Sequence, residues 1–256
     1  MSVDIGILIK EYIKNYGTMK TVQTKWQEPL IGYADAKDQL FYQYKEVISS
    51  THVTPDELLE DAKTVIAYFI PFHKDIVKSN MEGRGSSRAW AMAYIETNQL
   101  IFDLNEYIKS ELEKAGYEAA VNTKFQKFDR IRLISDWSHR HAAFVTGLGK
   151  LGLNNMFITR KGCTGRIGTI TTNMYITPTK REEGEYCLYK TKNSCKKCVD
   201  RCVNDALKED NFDRHKCYEM CAQNAKLHEE IGCVEICGKC LVGVPCSFRI
   251  PGREKL

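Results

Sequence analysis

Ten of the eleven cysteines of this 256-residue chain fall in the sixty residues from Cys187 to Cys246, and their spacing restricts what the chain can become. Cys187, Cys195, Cys198 and Cys202 open the stretch, the last three reading C-x2-C-x3-C. Cys233, Cys237, Cys240 and Cys246 close it, with Cys217 and Cys221 between the two groups. Thiols at such short period on loops act as a set of soft metal ligands.

A short run of thiolates can wrap one iron–sulfur cube, while a cysteine slightly further along reaches a neighbouring cube, as in two-cluster ferredoxins. The spacing therefore predicts a double iron–sulfur site and electron transfer. Two other uses of cysteine compete. Disulfides need an oxidising compartment and usually a small secreted chain, and here the count is odd and the first 160 or so residues hold none. Zinc ribbons also use C-x2-C pairs, but eight or more thiolates exceed what one tetrahedral ion needs.

With 43% hydrophobic and 27% charged residues the chain has the composition of a globular protein. Its longest clean apolar run, Thr64 to Phe72, is too short to span a bilayer. Met1 to Lys20 carries Asp4 and Glu11 and has no basic start before an apolar core, so no secretory signal is expected. The expected setting is cytoplasmic and reducing, with no membrane partner. The net charge of +4 is mild and its basic residues are dispersed, which permits nucleic acid without advertising it.

Ile5, Ile7, Leu8, Ile9, Tyr12, Ile13 and Tyr16 carry helical spacing that ends at Gly17. Pro29 to Tyr33 predicts a short strand. Thr54-Pro55-Asp56-Glu57 starts a helix that runs towards Lys63, and Thr64 to Phe72 predicts a buried strand. Arg88 to Ala115 predicts a long helix through Trp90, Ala93, Tyr94, Asn98, Ile101, Leu104, Ile108 and Leu112, closing at Gly116, with Trp90, Tyr94 and Trp137 as core aromatics and cofactor stacking as their alternative use. Trp137 to Val145 follows as a helix, Gly147 to Asn155 as a turn-rich loop, and Met156 to Thr159 and Ile167 to Ile176 as strands. The fold class is α+β, divided near the polar stretch Pro178 to Gly184 into units 1–178 and 179–256.

Gly147, Gly149 and Gly152 spell G-x-G-x-x-G, the dinucleotide fingerprint. That motif works only with a strand before it and a helix after it. Here a helical pattern precedes and a strand pattern follows, so a tight turn, or backbone approach to some other ligand, is expected instead.

Taken with the cysteines, the segments Trp137-Ser138-His139-Arg140-His141-Ala142-Ala143, Gly147-Leu148-Gly149 and Leu153-Asn154-Asn155 resemble the signature of epoxyqueuosine reductases and their short iron–sulfur relatives, which are related to corrinoid reductive dehalogenases. The likeness continues through Gly168 to Thr172, Tyr186-Cys187, the C-x2-C-x3-C run, Cys237 to Cys240 and Val244-Pro245-Cys246. It implies a nitroreductase-like corrinoid-binding α/β domain followed by a two-cluster ferredoxin-like domain. It also implies two [4Fe–4S] clusters and cobalamin. Carried over, Cys187, Cys195, Cys198 and Cys246 hold one cluster, and Cys202, Cys217, Cys237 and Cys240 hold the other.

This chain departs from the family pattern in places. Cys187 and Cys195 are stretched to C-x7-C, Val203 replaces the usual proline, and Cys221 and Cys233 are surplus, either able to displace a ligand. Cys163 reads as a buried small hydrophobe.

The resemblance further implies electrons arriving from a reduced ferredoxin or flavodoxin, cobalt reduced to a nucleophilic state, and a substrate reduced over it. Asp136 is the leading proton donor, with Asp129 competing and a helix N-cap as the plain alternative. Arg140 is a candidate for an anionic ligand group. Gly147, Gly149, Gly152, Asn154, Asn155 and Gly168 are expected along the corrin through close backbone approach. His139 and His141, two apart on a helix, face different ways and form no metal pair. Longer members continue into helical repeats that grip tRNA, so tRNA as a partner is possible here but unsupported by a basic patch. The alternative function is electron transfer or corrinoid carriage without a substrate, or a flavin-linked iron–sulfur oxidoreductase.

Overall fold

The computed structural model describes residues 3–121 and 128–253. In chain order the elements are α1 (Ile5–Met19), β1 (Leu30–Asp35), α2 (Gln39–Val47), α3 (Pro55–Leu58), β2 (Thr64–Pro71), α4 (Lys74–Ser79) and α5 (Arg88–Lys114). There follow β3 (Ala119–Val121), β4 (Phe128–Asp129), β5 (Ile134–Ser135), α6 (His139–Val145), β6 (Gly149–Leu151), β7 (Phe157–Thr159) and β8 (Gly165–Thr172). The cysteine-rich end carries α7 (Leu188–Lys192), α8 (Lys197–Asp200), α9 (Arg214–Leu227) and a 3-10 turn at Lys239–Leu241.

β2 is the apolar run, and every one of its eight residues is buried. It lies inside a four-stranded sheet ordered β1-β2-β8-β3, in which all neighbours are antiparallel. Alternation along the strand sorts its side chains between two helical layers. Ile66, Tyr68 and Ile70 pack with the stripe Ile5, Ile9, Ile13 of α1 and with Leu100, Leu104 and Ile108 of α5. Val65 joins Phe41, Trp137 and Val145, while Ala67 joins Ala143, Leu148 and Phe157. The result is an α+β unit with an antiparallel sheet between helices.

Several boundaries differ from the sequence expectation, each for a local reason. α1 passes through Gly17 to Met19, because Lys20 N–H still closes on the Tyr16 carbonyl at 2.9 Å. The helix begun at Thr54 is a single turn: the Glu57 carboxylate accepts from Thr54 N–H at 2.7 Å, capping a turn that ends at Leu58. α6 starts at His139 because Ser138 is its cap and Trp137 is sunk in the core. β8 stops at Thr172, whose hydroxyl accepts from Met174 N–H at 3.1 Å and turns the chain.

The G-x-G-x-x-G segment has the helix-then-strand order expected: α6 ends, Gly147 turns at φ +75°, and β6 begins at Gly149. A Cβ on Gly149 would lie 2.1 Å from the Ile158 carbonyl oxygen across the β6–β7 hairpin. Gly149→Ala is therefore expected to cost about 3 kcal/mol through overpacking, read as a lowered urea midpoint at unchanged slope.

The cysteine-rich end has no sheet of its own among the described residues beyond one isolated bridge, Leu207 with Phe212. It is seated on the rest: Tyr186, Cys187, Leu241, Val242 and Ile250 share one apolar cluster with Phe72, Val77, Trp90 and Ile158. So short a segment, built of helical turns, relies on that seat and on whatever its thiols bind.

Candidate metal centres

Three cysteines close in sequence, Cys187, Cys195 and Cys198, and the remote Cys246 ring one recess of about 340 Å³. Cys187 caps α7 and Cys195 follows its left-handed end at Asn193 (φ +51°), so the stretched C-x7-C spacing is filled by one short helix and both thiols still meet. Gly152 and Asn154, from the loop after β6, line the same recess. Asn154 donates its amide to the Cys240 carbonyl at 3.0 Å, tying this loop to the second group of cysteines.

Five more thiols, Cys202, Cys217, Cys221, Cys237 and Cys240, line a second recess of about 840 Å³. Cys217 and Cys221 stand one turn apart on α9, so both reach it. Leu153, Val199 and Val244 pack among Cys198, Cys202, Cys240 and Cys246 and bring the two recesses side by side. Cys233 is exposed and lines neither recess. Cys163 is the buried core residue expected, 3% exposed, and its Sγ also lies 4.0 Å from Cys246 Sγ while lining neither recess.

Thiols spread around each recess suit a cube, whose irons occupy separate corners. A further observation supports the fit at the second recess. Trp90 is 1% exposed, lines the recess, and its Nε1–H has no acceptor in the protein. Sulfide or thiolate sulfur of a cluster is an acceptor of the right chemistry.

The electrostatics are those of a site awaiting positive charge. Burial and the neighbouring Cys246, Cys187 and Cys195 push the Cys198 thiol up to about 12. Burial likewise raises Cys237 and Cys240, with Cys217 and Cys202 adding to it. Cys217 goes the other way, to about 7, because Cys221 hydrogen-bonds it and the Arg140 guanidinium lies near. Iron, if held by these cysteines, would offset the mutual repulsion of their thiolates. Lys239, 1% exposed in the Cys237–Cys240 loop, adds a fixed cation held by the carbonyls of Asn80 (2.9 Å) and Glu82 (2.7 Å).

Beyond its thiols the second recess continues to Met156, Gly165 and Arg166. Arg166 is bonded to Asn98 at 2.7 Å and lies over the Tyr94 ring, so Tyr94 is a platform for a cation as well as a core aromatic. Arg140 donates to the Asn155 carbonyl and lies 3.5 Å from the Met156 sulfur, and Met156 lines the second recess. The glycines are placed differently from an open cradle. The missing Cβ of Gly168 faces the Tyr68 ring at 2.3 Å, that of Gly147 the Lys180 carbonyl at 3.2 Å, and that of Gly152 the Asn154 side chain at 2.9 Å. These vacancies, like that of Gly149, are filled by the protein itself.

Asp136 lies outside both recesses. Its carbonyl accepts from Val53 N–H at 2.7 Å, and its charge acts on the buried His52. It is not the cap of α6, which is Ser138. Asp129 is committed to the β4–β5 turn, accepting from Ile131 and Arg132 N–H, bonds that hold its carboxyl below the usual range.

His139 and His141 point apart: His139 Nδ1 meets Thr169 at 2.8 Å and His141 Nδ1 meets Ser138 at 2.7 Å. Burial lowers both to about 4, with Arg166 contributing at His139 and Arg140 at His141. Groups held neutral in this way stabilise the fold above their unfolded pKa of about 6.5, and that stability is lost as pH falls towards 4. Between pH 7 and 5 the loss is on the order of 2 kcal/mol per imidazole, expected as a lower urea midpoint at pH 5.

No family model and no curated protein matches the sequence. Solved structures do. The epoxyqueuosine reductase of Streptococcus thermophilus aligns at 18% identity and a TM-score of 0.51 over 91% of this chain, which spans 64% of that protein's length. The catabolic reductive dehalogenase NpRdhA, solved with 3-bromo-4-hydroxybenzoic acid, aligns at 14% identity and a TM-score of 0.53 over 73% of this chain and 26% of its own. The chain therefore has the fold shared by epoxyqueuosine reductases and reductive dehalogenases.

Proposed function

We propose that this protein is an iron–sulfur oxidoreductase in which two [4Fe–4S] clusters deliver electrons to a corrinoid bound beside the second recess. One observation carries the reading: nine of the ten clustered cysteines, four and five, ring two adjoining recesses. Cys187, Cys195, Cys198 and Cys246 would hold one cluster. Cys202, Cys237 and Cys240, with Cys217 or Cys221, would hold the other. The unit 179–256 is then a two-cluster, ferredoxin-like module seated on a nitroreductase-like unit, 1–178. Electrons would come from a reduced ferredoxin or flavodoxin in a reducing, cytoplasmic setting. Among the described residues no helix is long and apolar enough to cross a membrane.

Cobalamin, when bound, supplies a low-valent metal that can reduce an electrophilic substrate. The residues suited to meet it are Met156 and Arg166, which line the second recess, with Arg140 as a charge partner. Asp136, beside His52 rather than on a recess wall, would supply a proton only through intervening groups. Epoxyqueuosine in tRNA is the substrate that the fold likeness suggests. The place of Asp136 outside both recesses favours a second reading, electron transfer or corrinoid carriage with no substrate of its own.

Anaerobically purified protein is expected to carry about eight irons and eight sulfides and to change the spectrum of added cobalamin. A corrin spectrum indifferent to the protein removes both cobalamin readings. Zinc in place of iron removes the whole proposal. Turnover of epoxyqueuosine-containing tRNA then separates the reductase from the carrier.

A further inference from the structure

Cys163 occupies a place built for a hydrogen-bond donor. It sits between β7 and β8, 3% exposed, on a segment stitched to the chain around Cys246. Cys163 N–H donates to the Cys246 carbonyl at 3.0 Å, and the Thr164 hydroxyl donates to the Ser247 carbonyl at 2.7 Å. Gly162, at φ +85°, lets this segment press so close that a Cβ there would be 2.3 Å from the Ser247 oxygen. The Cys163 Sγ is thereby fixed 4.0 Å from Cys246 Sγ and 3.8 Å from the Leu241 carbonyl oxygen. Cys163 lines neither recess. Its sulfur thus stands behind a ligand rather than among the ligands.

We infer that Cys163 is a thiol donor to the Cys246 sulfur that raises the reduction potential of the cluster in the first recess. The inference rests on the two-cluster reading. A thiol has one proton and two acceptors within reach here, a neutral carbonyl and, once iron is bound, an anionic thiolate. The charged acceptor forms the stronger bond. When an external reductant adds one electron to the cluster, negative charge on its sulfurs grows and the S–H···S bond strengthens. Hydrogen bonds to cluster sulfurs are one of the levers that set such potentials. No bond to iron forms at Cys163 and none breaks.

The test is an EPR-monitored redox titration of the iron-loaded parent, Cys163→Ala and Cys163→Ser, with iron counted in each. In Cys163→Ala the iron stays at the parental count. The reduction equilibrium of one cluster falls by up to about tenfold, which is about 59 mV for one electron, and the other cluster keeps its midpoint. Cys163→Ser keeps a donor and recovers most of the shift, which a packing role for the sulfur would not do. Two midpoints unchanged in Cys163→Ala overturn the inference while leaving the clusters in place. Loss of iron in Cys163→Ala also overturns it, by making Cys163 a ligand. A parent with no iron defeats the proposed function instead.

Discussion

Replacing Cys198 with alanine is expected to remove about half of the bound iron, and replacing Cys240 the other half, about four atoms each for two four-iron cubes. Cys198 lies in the first recess with Cys187, Cys195 and Cys246, and Cys240 lies in the second. A cube missing one of four thiolates keeps an iron open to water and loses it. Each variant should retain the signal of the cluster the other lacks. Cys233→Ala is the control, since Cys233 is exposed and lines neither recess, and it should keep all the iron. Cys217→Ala and Cys221→Ala address the fifth thiol of the second recess: the variant that keeps its iron marks the non-ligand. Equal iron in the Cys198, Cys240 and Cys233 variants would defeat the assignment of recesses to clusters.

Ligand chemistry is legible in a sequence when it is local, and much of this site is. Cys195 and Cys198 are three residues apart, as are Cys237 and Cys240, so spacing alone brings each pair of thiols to one recess. The buried strand β2 was equally plain, because a run such as Val65-Ile66-Ala67-Tyr68-Phe69-Ile70 has nowhere to go but a core. α2 was not, since only Phe41 and Tyr44 of its nine residues are buried and that stripe is too brief for a period to show. The two-residue strands β4 and β5 carry no pattern at all.

The glycines gave an opposite lesson. Sequence shows that Gly149 and Gly168 lack side chains but not what fills the space, and here a carbonyl and a tyrosine ring fill it. Cys163 was hidden for another reason. It meets Cys246 across 83 residues, and no local spacing encodes a contact closed by the fold itself. Trp90 looked like any core aromatic until its unpartnered N–H was seen beside the second recess.

Gly238→Ala is expected to unload the second cluster while leaving the first. Gly238 lies between Cys237 and Cys240 at φ +74°, ψ +3°, a left-handed conformation that starts the 3-10 turn carrying Cys240. A side chain there costs about 1–2 kcal/mol in backbone strain alone. It also has no room: the added Cβ would lie 2.4 Å from Trp90 Cζ2 and 2.6 Å from Trp90 Nε1. The indole cannot retreat cheaply, being 1% exposed and edge-on to Phe72 at 5.2 Å. Overpacking of this kind adds about 1–3 kcal/mol. The loop is the part that can move, and moving it carries Cys237 and Cys240 away from Cys202 and the α9 thiols. Iron should therefore fall by about half, with the first cluster's spectrum intact. Trp90→Phe in the same background makes room at the clash and should restore part of the iron, by the overpacking share and not the backbone share. A Gly238→Ala protein with its full iron would show that this loop tolerates displacement and that the thiols of the second recess do not depend on its shape.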